Sequence, residues 1–495
     1  MGLNAQISFQ PPVSYYGAGT NTRDITSGDF DGDGHPDIAI TNTFNHSYSI
    51  FKGSSTGTFS NTLNSGAIAY QPSPITSADF NNDSKIDLAY ADLNSTVYLK
   101  YGTGVGTFTG STGYGTGSYP LELINADFNN DGKPDLVSSN QNNTPGDITL
   151  ALCSPTGTFG TATNFTVGAW AYALTAGDFN NDGNKDIAVT KGTSTTGSVT
   201  VLFGNGLGSF GTPVNYVTGF GPRSVKAADF NGDGNLDLAV ANYDANNISI
   251  LQGSSAGTFA TAVNYNVIPN PTSLVCADID GDTKIDLVVT NSNNVSVLKG
   301  SGTGTFSAGV NFSMPGLNAL KLIAGDFNND TKIDLAVTQY QGMLVFLNNS
   351  VCSASITTTS GTICSGRSFT ITPGGASTYT YTGGSAVVTP TTTTSYTVTG
   401  TTSLGCVGSA VSTISVLTSP TINAVASSAS NLCSGNSTNL SLSGWSGPAL
   451  TSYTWSTGSN ASNITVSPTV TTTYSITVTN NLGCASNPFA YTQNV

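Results

Sequence analysis

The sequence predicts an all-β chain, built as a ring of seven repeated sheets over residues 1–350 and followed by two small two-sheet modules. Three observations carry this expectation. One acidic nine-residue loop recurs seven times at intervals of 48 to 51 residues, short β-rich strands flank every copy, and charge all but vanishes after residue 350. A fixed period in this range marks a solenoid, a propeller or an array.

The loop reads Asp-Phe-[Asp/Asn]-x-Asp-[Gly/Ser/Thr]-x-x-Asp-[Ile/Leu], with Ile in place of Phe in the sixth copy. It begins at Asp29, Asp79, Asp127, Asp178, Asp229, Asp278 and Asp326. The repeat around Asp229 shows the unit. Ser224–Ala228 reads as a strand entering the loop, Leu238–Val240 as a buried strand, and Ile248–Leu251 as an alternating one. The turn Gly253–Gly257 and Thr258-Phe259 then lead to a fourth strand ending at Val263–Tyr265. Such a sheet cannot bury both faces alone, and stacking its neighbours in a ring supplies the core.

Six outer strands carry Phe, then Val or a relative, then an aromatic, as in Phe210, Val214, Tyr216 and Phe306, Val310, Phe312. The seventh unit stops after Leu344–Leu347 without one. Phe9, Val13 and Tyr15 stand at the same offsets near the start of the chain, so the N-terminal strand is expected to complete the last sheet and close the ring.

After Ser350 the only charged residue is Arg367. The segment repeats itself: Cys364-Ser365-Gly366 recurs as Cys433-Ser434-Gly435, and Leu404-Gly405-Cys406 as Leu482-Gly483-Cys484. Two β-sandwich modules are expected, over residues 351–420 and 421–495. Cys364 with Cys406, and Cys433 with Cys484, form the natural disulfide within each module, since small domains of this kind need staples. Cys153 and Cys276 read as small buried residues. Of seven cysteines one must stay unpaired, with Cys352 at the junction the candidate for an intermolecular bridge.

The formal net charge of −14 is not spread over the chain, because the loops hold 23 of the 28 acidic residues. Carboxylates gathered in this way fit metal binding better than a solvated acidic face. No basic stripe exists for nucleic acid, and no apolar run reaches the length of a membrane span. Leu3-Asn4-Ala5 resembles the small-residue end of a cleaved signal peptide.

In each loop, alternation brings positions 1, 3 and 5 to the inside of a tight turn, position 7 offers its backbone carbonyl, and position 9 closes the shell. The candidate ligands are Asp29, Asp31, Asp33, His35 and Asp37; Asp79, Asn81, Asp83, Lys85 and Asp87; Asp127, Asn129, Asp131, Lys133 and Asp135; Asp178, Asn180, Asp182, Asn184 and Asp186; Asp229, Asn231, Asp233, Asn235 and Asp237; Asp278, Asp280, Asp282, Lys284 and Asp286; and Asp326, Asn328, Asp330, Lys332 and Asp334. An all-oxygen shell suits Ca²⁺, up to seven ions in all, and not Zn²⁺. Gly at position 6 fits the sharp bend, and Ser84, Thr283 and Thr331 depart from it at a cost of about 1 kcal/mol each if left-handed. The first and sixth loops, with four carboxylates each, are expected to bind tightest.

On these motifs, residues 1–350 resemble the seven-bladed β-propeller built of FG-GAP (VCBS) repeats, the fold of the integrin α-subunit head. Leu202–Phe210 is close to the segment that names the repeat. The resemblance implies that the acidic loop joins two strands of a blade and holds Ca²⁺. Residues 351–495 resemble Ig-like or PKD-like modules of secreted bacterial surface proteins.

Catalysis is not expected, since the chain has two histidines, His35 and His46, and His35 lies inside a loop. The expected function is that of a secreted, calcium-stabilised protein of the cell surface, acting in adhesion or extracellular assembly through a protein or glycan ligand or through self-association. The rival is a carbohydrate-binding propeller, because aromatics recur just before the loops at Tyr70, Tyr119, Trp170 and Phe220, although packing between blades also accounts for them.

Overall fold

The computed structural model of the chain describes residues 7–17, 19–67, 70–141, 146–154, 156–168, 170–314, 319–350, 354–402 and 406–495. Leu3-Asn4-Ala5 and Cys352 lie outside these residues. Among the described residues every regular element is a strand. The chain divides into two compact units, the larger ending at residue 351 and the smaller running from residue 352 to 495.

In the larger unit, β1 (Val13–Tyr15) is followed by β2 (Thr22–Gly28), β3 (Asp37–Asn42), β4 (Ser47–Lys52) and β5 (Ser60–Ala67). β2 to β5 form one antiparallel four-stranded sheet in sequence order, and the acidic loop joins β2 to β3. The same sheet recurs five times, beginning at Pro72, Pro120, Ala171, Pro222 and Ser273. The last sheet comprises Leu322–Gly325, Asp334–Gln339 and Gly342–Phe346, and its fourth strand is β1. β1 runs antiparallel to Gly342–Phe346, pairing Val13 with Val345 and Tyr15 with Met343. The first strand of each sheet packs against that of the next, and Leu322–Gly325 packs against β2, so the series returns to its start.

The reason for this arrangement is local. The second strand of each sheet is walled in on both sides, and β3 is buried at all six positions. It therefore tolerates only an apolar run, here Ile38-Ala39-Ile40, flanked by groups that find hydrogen bonds. The loop's second residue plugs the boundary between sheets: Phe30, Phe80, Phe128, Phe179, Phe230, Ile279 and Phe327 are all buried. Six of these meet edge-on a Phe of the adjoining sheet, as in Phe30 with Phe108 at 5.6 Å, Phe179 with Phe259 at 5.8 Å and Phe327 with Phe59 at 6.0 Å between ring centroids. Each such pair adds about 0.5–1.5 kcal/mol beyond the area it buries. Where Ile279 stands instead, Phe9 packs against the same cluster.

The N-terminal segment reproduces the outer strand it replaces. Phe9 forms a bridge to Asn348 as Phe210 does to Gly204, and Tyr15 meets Phe59 edge-on as Tyr216 meets Phe259.

The smaller unit holds two modules. In the first, Thr378–Tyr381, Thr394–Thr401, Val407–Leu417 and Gly361–Cys364 form the main sheet, over a core of Ile371, Val388, Val398 and Ile414. In the second, two three-stranded sheets enclose Leu440, Trp455, Ile476 and Val478.

The disulfide expectation needs correction. Cys364 is bonded to Cys484, across 120 residues and from one module to the other, and not to Cys406. Cys406 is disulfide-bonded, whereas Cys433 is free and exposed, so the expected Cys433–Cys484 pair does not form. Sequence spacing favoured closing each module on itself, but the bond closes one module on the next. Cys153 and Cys276 are free thiols, Cys153 buried and Cys276 partly so.

Removing residues 1–17 would leave Gly342–Phe346 as a bare sheet edge. The truncated chain is expected to melt at lower temperature and to associate with rising concentration in light scattering. An unchanged melt from a monomer would contradict closure by β1.

Candidate metal centre

Each acidic loop is a tight turn wound around its first carboxylate. Asp29 accepts the backbone N–H groups of Gly32, Asp33 and Gly34 at 2.7, 3.1 and 2.9 Å. Asp31 accepts from Asp33, and Asp33 accepts from His35. The pattern recurs in the other loops, for example at Asp178, Asn180 and Asp182. Positions 4 and 6 take positive φ throughout. Ser84, Thr283 and Thr331 do so at 63°, 70° and 69°, so they carry the backbone cost expected of non-glycine residues there.

Position 9 behaves differently and identically in all seven repeats. Asp37 is fully buried and accepts two backbone N–H groups, from Phe30 at 2.9 Å and from Gly53 at 2.8 Å. Asp186 holds Phe179 and Gly204 in the same way, Asp286 holds Ile279 and Gly300, and Asp334 holds Phe327 and Asn348. One carboxylate thus fastens the loop's second residue to the turn after the third strand. Gly is found at that turn in five repeats because a Cβ would fall 2.1–2.2 Å from a backbone carbonyl, as at Gly53 against Pro36 and Gly204 against Lys185. The third repeat has Cys153 there and the seventh Asn348, and both side chains bond to the carbonyl of the second loop residue one sheet back, Phe80 and Ile279.

In the first loop one oxygen from each of Asp29, Asp31 and Asp37 lies within 4.8 Å of the others, and the same holds for Asp278, Asp280 and Asp286. Ligands on opposite sides of a Ca²⁺ ion stand about 4.6–5.2 Å apart, so these donor sets fit that ion. The five loops with Asn at position 3 place the same backbone turn around Asp and Asn oxygens. Position 5 sits at the rim, where Asp83, Asp131 and Asp282 pair with the side chains of Lys85, Lys133 and Lys284 at 3.5, 3.6 and 2.9 Å.

The two loops with a fourth carboxylate also have a lysine that the others lack. Lys52 pairs with Asp31 and lies 2.9 Å from Asp33, and Lys299 pairs with Asp280. The extra negative charge is offset by one positive charge, which removes the reason for expecting these two loops to bind tightest. Neighbouring loops also touch. Asn130 bonds to Asn184, Asn181 to Asn235, and Asn329 to His35, joining position 4 of one loop to position 7 of the next.

A second cluster was not singled out in the sequence. Arg23, Asp24, Glu122, Arg223 and Lys321 line a cavity of about 260 Å³ with Tyr172. These residues lie six or five positions before a loop's first Asp; Arg23, Asp24, Glu122 and Arg223 stand at bulges in the first strands of the first, third and fifth sheets, and Lys321 immediately precedes the first strand of the seventh. Lys321 pairs with Glu122, the only glutamate in the chain, across the ring from the seventh sheet to the third. Arg223 lies 4.0 Å from the Tyr243 ring centre and 5.7 Å from that of Tyr172. A further recess of about 280 Å³ shares Tyr172 and Arg223 and adds Trp170 and Asp244. Of the aromatics before the loops, Tyr70, Tyr119 and Phe220 are about half exposed, and Tyr119 and Trp170 hold φ of 62° and 64°. The signal available in sequence was the fixed offset of these charges from the loops in a chain with few charges elsewhere.

Burial pushes the position 9 carboxyls up, against the pull of their two N–H donors. Asp37, Asp87, Asp135, Asp186 and Asp334 reach about 6 and Asp286 about 7. The folded chain without cation therefore takes up protons that the unfolded chain, near 4 for Asp, does not. Its stability is expected to fall as pH rises from about 4 to 7. Melts of EDTA-treated protein should thus show a higher melting temperature at pH 5 than at pH 7.5, and the opposite order would contradict this burial account.

The FG-GAP-like repeat matches residues 29–90, 79–138, 127–189, 186–240, 229–289 and 278–337. No curated protein matches the chain. Among solved structures, BBS1N in complex with ARL6DN aligns at a TM-score of 0.50 and 14% identity, over 70% of this chain and 97% of that one. A functionally unknown protein from Desulfotomaculum acetoxidans aligns at 0.48 and 15%, over 61% and 88%. An Agrocybe aegerita lectin that recognises non-reducing terminal N-acetylglucosamine aligns at 0.41 and 17%, over 59% and 81%. Likeness at such identities concerns the fold alone. With six overlapping repeat matches from residue 29 to 337, the chain belongs to the FG-GAP-like repeat family, and its repeat region is a β-propeller.

Proposed function

We propose that the chain is a secreted, non-enzymatic surface protein. In this reading its seven-bladed propeller is stabilised by up to seven Ca²⁺ ions and serves as the binding or packing head for adhesion or extracellular assembly, and the chain also carries two Ig-like modules. The observation that carries this reading is the identical setting of the ninth-position carboxylate in all seven sheets, beside a turn whose donors in the first and sixth loops converge at calcium spacing. A buried carboxylate with only neutral donors is costly, and a cation beside it offsets that cost. The ion in this role is a staple: it ties loop to hairpin and leaves the opposite face of the ring for a ligand.

Replacing Lys52 removes a positive charge from beside the first loop. Lys52→Met is expected to tighten calcium binding there by roughly thirtyfold, the scale of a unit charge facing a divalent ion about 4 Å away in water. Titration calorimetry of the variant against the parent reads this, and weaker binding would contradict a cation in that loop.

A second reading is favoured by the exposed aromatics. Trp170, Tyr172 and the ring-stacked Arg223 give a sugar an aromatic face and a fixed guanidinium, so a carbohydrate ligand would sit at this recess. If so, a glycan array should show binding that Trp170→Ala reduces at least tenfold while the melt is unchanged. Binding that survives the substitution would place the sugar elsewhere.

A further inference from the structure

We propose that the cavity on the axis of the ring binds the carboxylate of a small organic acid, with Arg23 and Arg223 as its anchors. The position six residues before each loop's first Asp points to it. In six of the seven sheets that residue lines one cavity of about 260 Å³: Arg23, Leu121, Tyr172, Arg223, Thr272 and Leu320. Equivalent positions of separate sheets meet only at the axis, here at the end of the first strands away from the acidic loops. Six residues of strand put those loops about 20 Å off, so the site rests on neither the calcium nor the sugar reading.

Positions that only build the ring repeat one chemistry, as Asp does at position 9 of every loop. The axial position varies from sheet to sheet, as a site that meets one ligand from several sides requires. It also holds the only two arginines of residues 1–350. The acids beside them are committed elsewhere. Glu122 pairs with Lys321, and buried Asp24 accepts the N–H groups of Ile25 and Ile75, both at 2.9 Å. Arg223 lies against the rings of Tyr243 and Tyr172 and forms no ion pair with Asp244 of the adjoining recess. Among the described residues neither guanidinium has a hydrogen-bond acceptor or an ion-pair partner. Three cations against two carboxylates leave one positive charge, the complement of a monocarboxylate and not of a phosphate dianion. The planar fork of arginine matches a carboxylate with two parallel N–H bonds. Leu121, Leu320 and the Tyr172 ring offer apolar walls for the organic part. The volume lies near the lower bound of about 300 Å³ for small-molecule sites, which limits the ligand's size.

The intact chain is titrated by saturation-transfer NMR with acetate, lactate and glucuronate, and with acetamide, lactamide and glucose as their uncharged counterparts. At least one acid should bind saturably and at least tenfold tighter than its counterpart. Arg23→Gln and Arg223→Gln should each weaken that binding at least tenfold with the melt unchanged, the scale of a hydrogen bond to a charged group. Arg223 is exposed, so its variant keeps the test open should Arg23→Gln fail to fold. Glu122→Gln should have the opposite sign and tighten binding about fivefold, the scale of one unit charge about 4 Å away in water. Binding by none of the acids, or equally by their uncharged counterparts, would overturn the proposal. So would displacement by sulfate at equal concentration, which would make the cavity a site for inorganic oxyanions. A greater loss from Trp170→Ala than from either arginine change would overturn it as well, by moving the ligand to the adjoining recess.

Discussion

The ninth residue of each acidic loop is a carboxylate with almost no exposed surface, and the remaining order of the propeller depends on it. It accepts one N–H from the loop's second residue and another from the turn after the third strand. That pair of bonds fixes the entrance of the second strand against the exit of the third. It also holds the second loop residue inward, where Phe30 or Phe179 meets the Phe of the adjoining sheet. The carboxylate therefore links local turn geometry to contact between sheets. Removing it would strand two buried donors, a loss of about 1–3 kcal/mol for each.

Charge is distributed by the same economy. A chain with few ionisable residues places most of its acids in loops on one side of the sheets and a mixed cluster about the centre of the ring. In the loops, Lys52 and Lys299 appear where position 3 is Asp and not where it is Asn, so each turn keeps a similar net charge. At the centre, Lys321 and Glu122 satisfy each other across the ring, while Arg223 lies against the rings of Tyr243 and Tyr172. Arg223 stands at a bulge between Pro222 and Ser224, and Glu122 at one that begins at Pro120, where the strand pairing is locally broken.

The repeat was legible because its chemistry is periodic: Asp at positions 1, 5 and 9 and an apolar residue at 2 and 10 can be read without knowing the fold. The place of Phe9, Val13 and Tyr15 in the last sheet was legible for the same reason, since the offsets match the outer strands. What sequence hid was contact between copies. The inter-loop bonds of Asn130, Asn181 and Asn329 depend on how neighbouring loops abut. The exposure of Tyr119 depends on its left-handed backbone, and packing was the simpler expectation for it. The disulfides failed on the same point, because spacing along a module says nothing about whether Cys364 faces Cys406 or the following module. The charged centre was missed because its members come from separate sheets and share no motif.

The central claim is that calcium is a staple in the acidic loops, and bound calcium measured together with thermal stability tests it most directly. Purified chain assayed for calcium and melted before and after EDTA should give close to seven ions and a large fall in melting temperature on chelation, restored by added calcium. Few ions and an unchanged melt would contradict the account and leave the buried carboxylates supported by backbone donors alone.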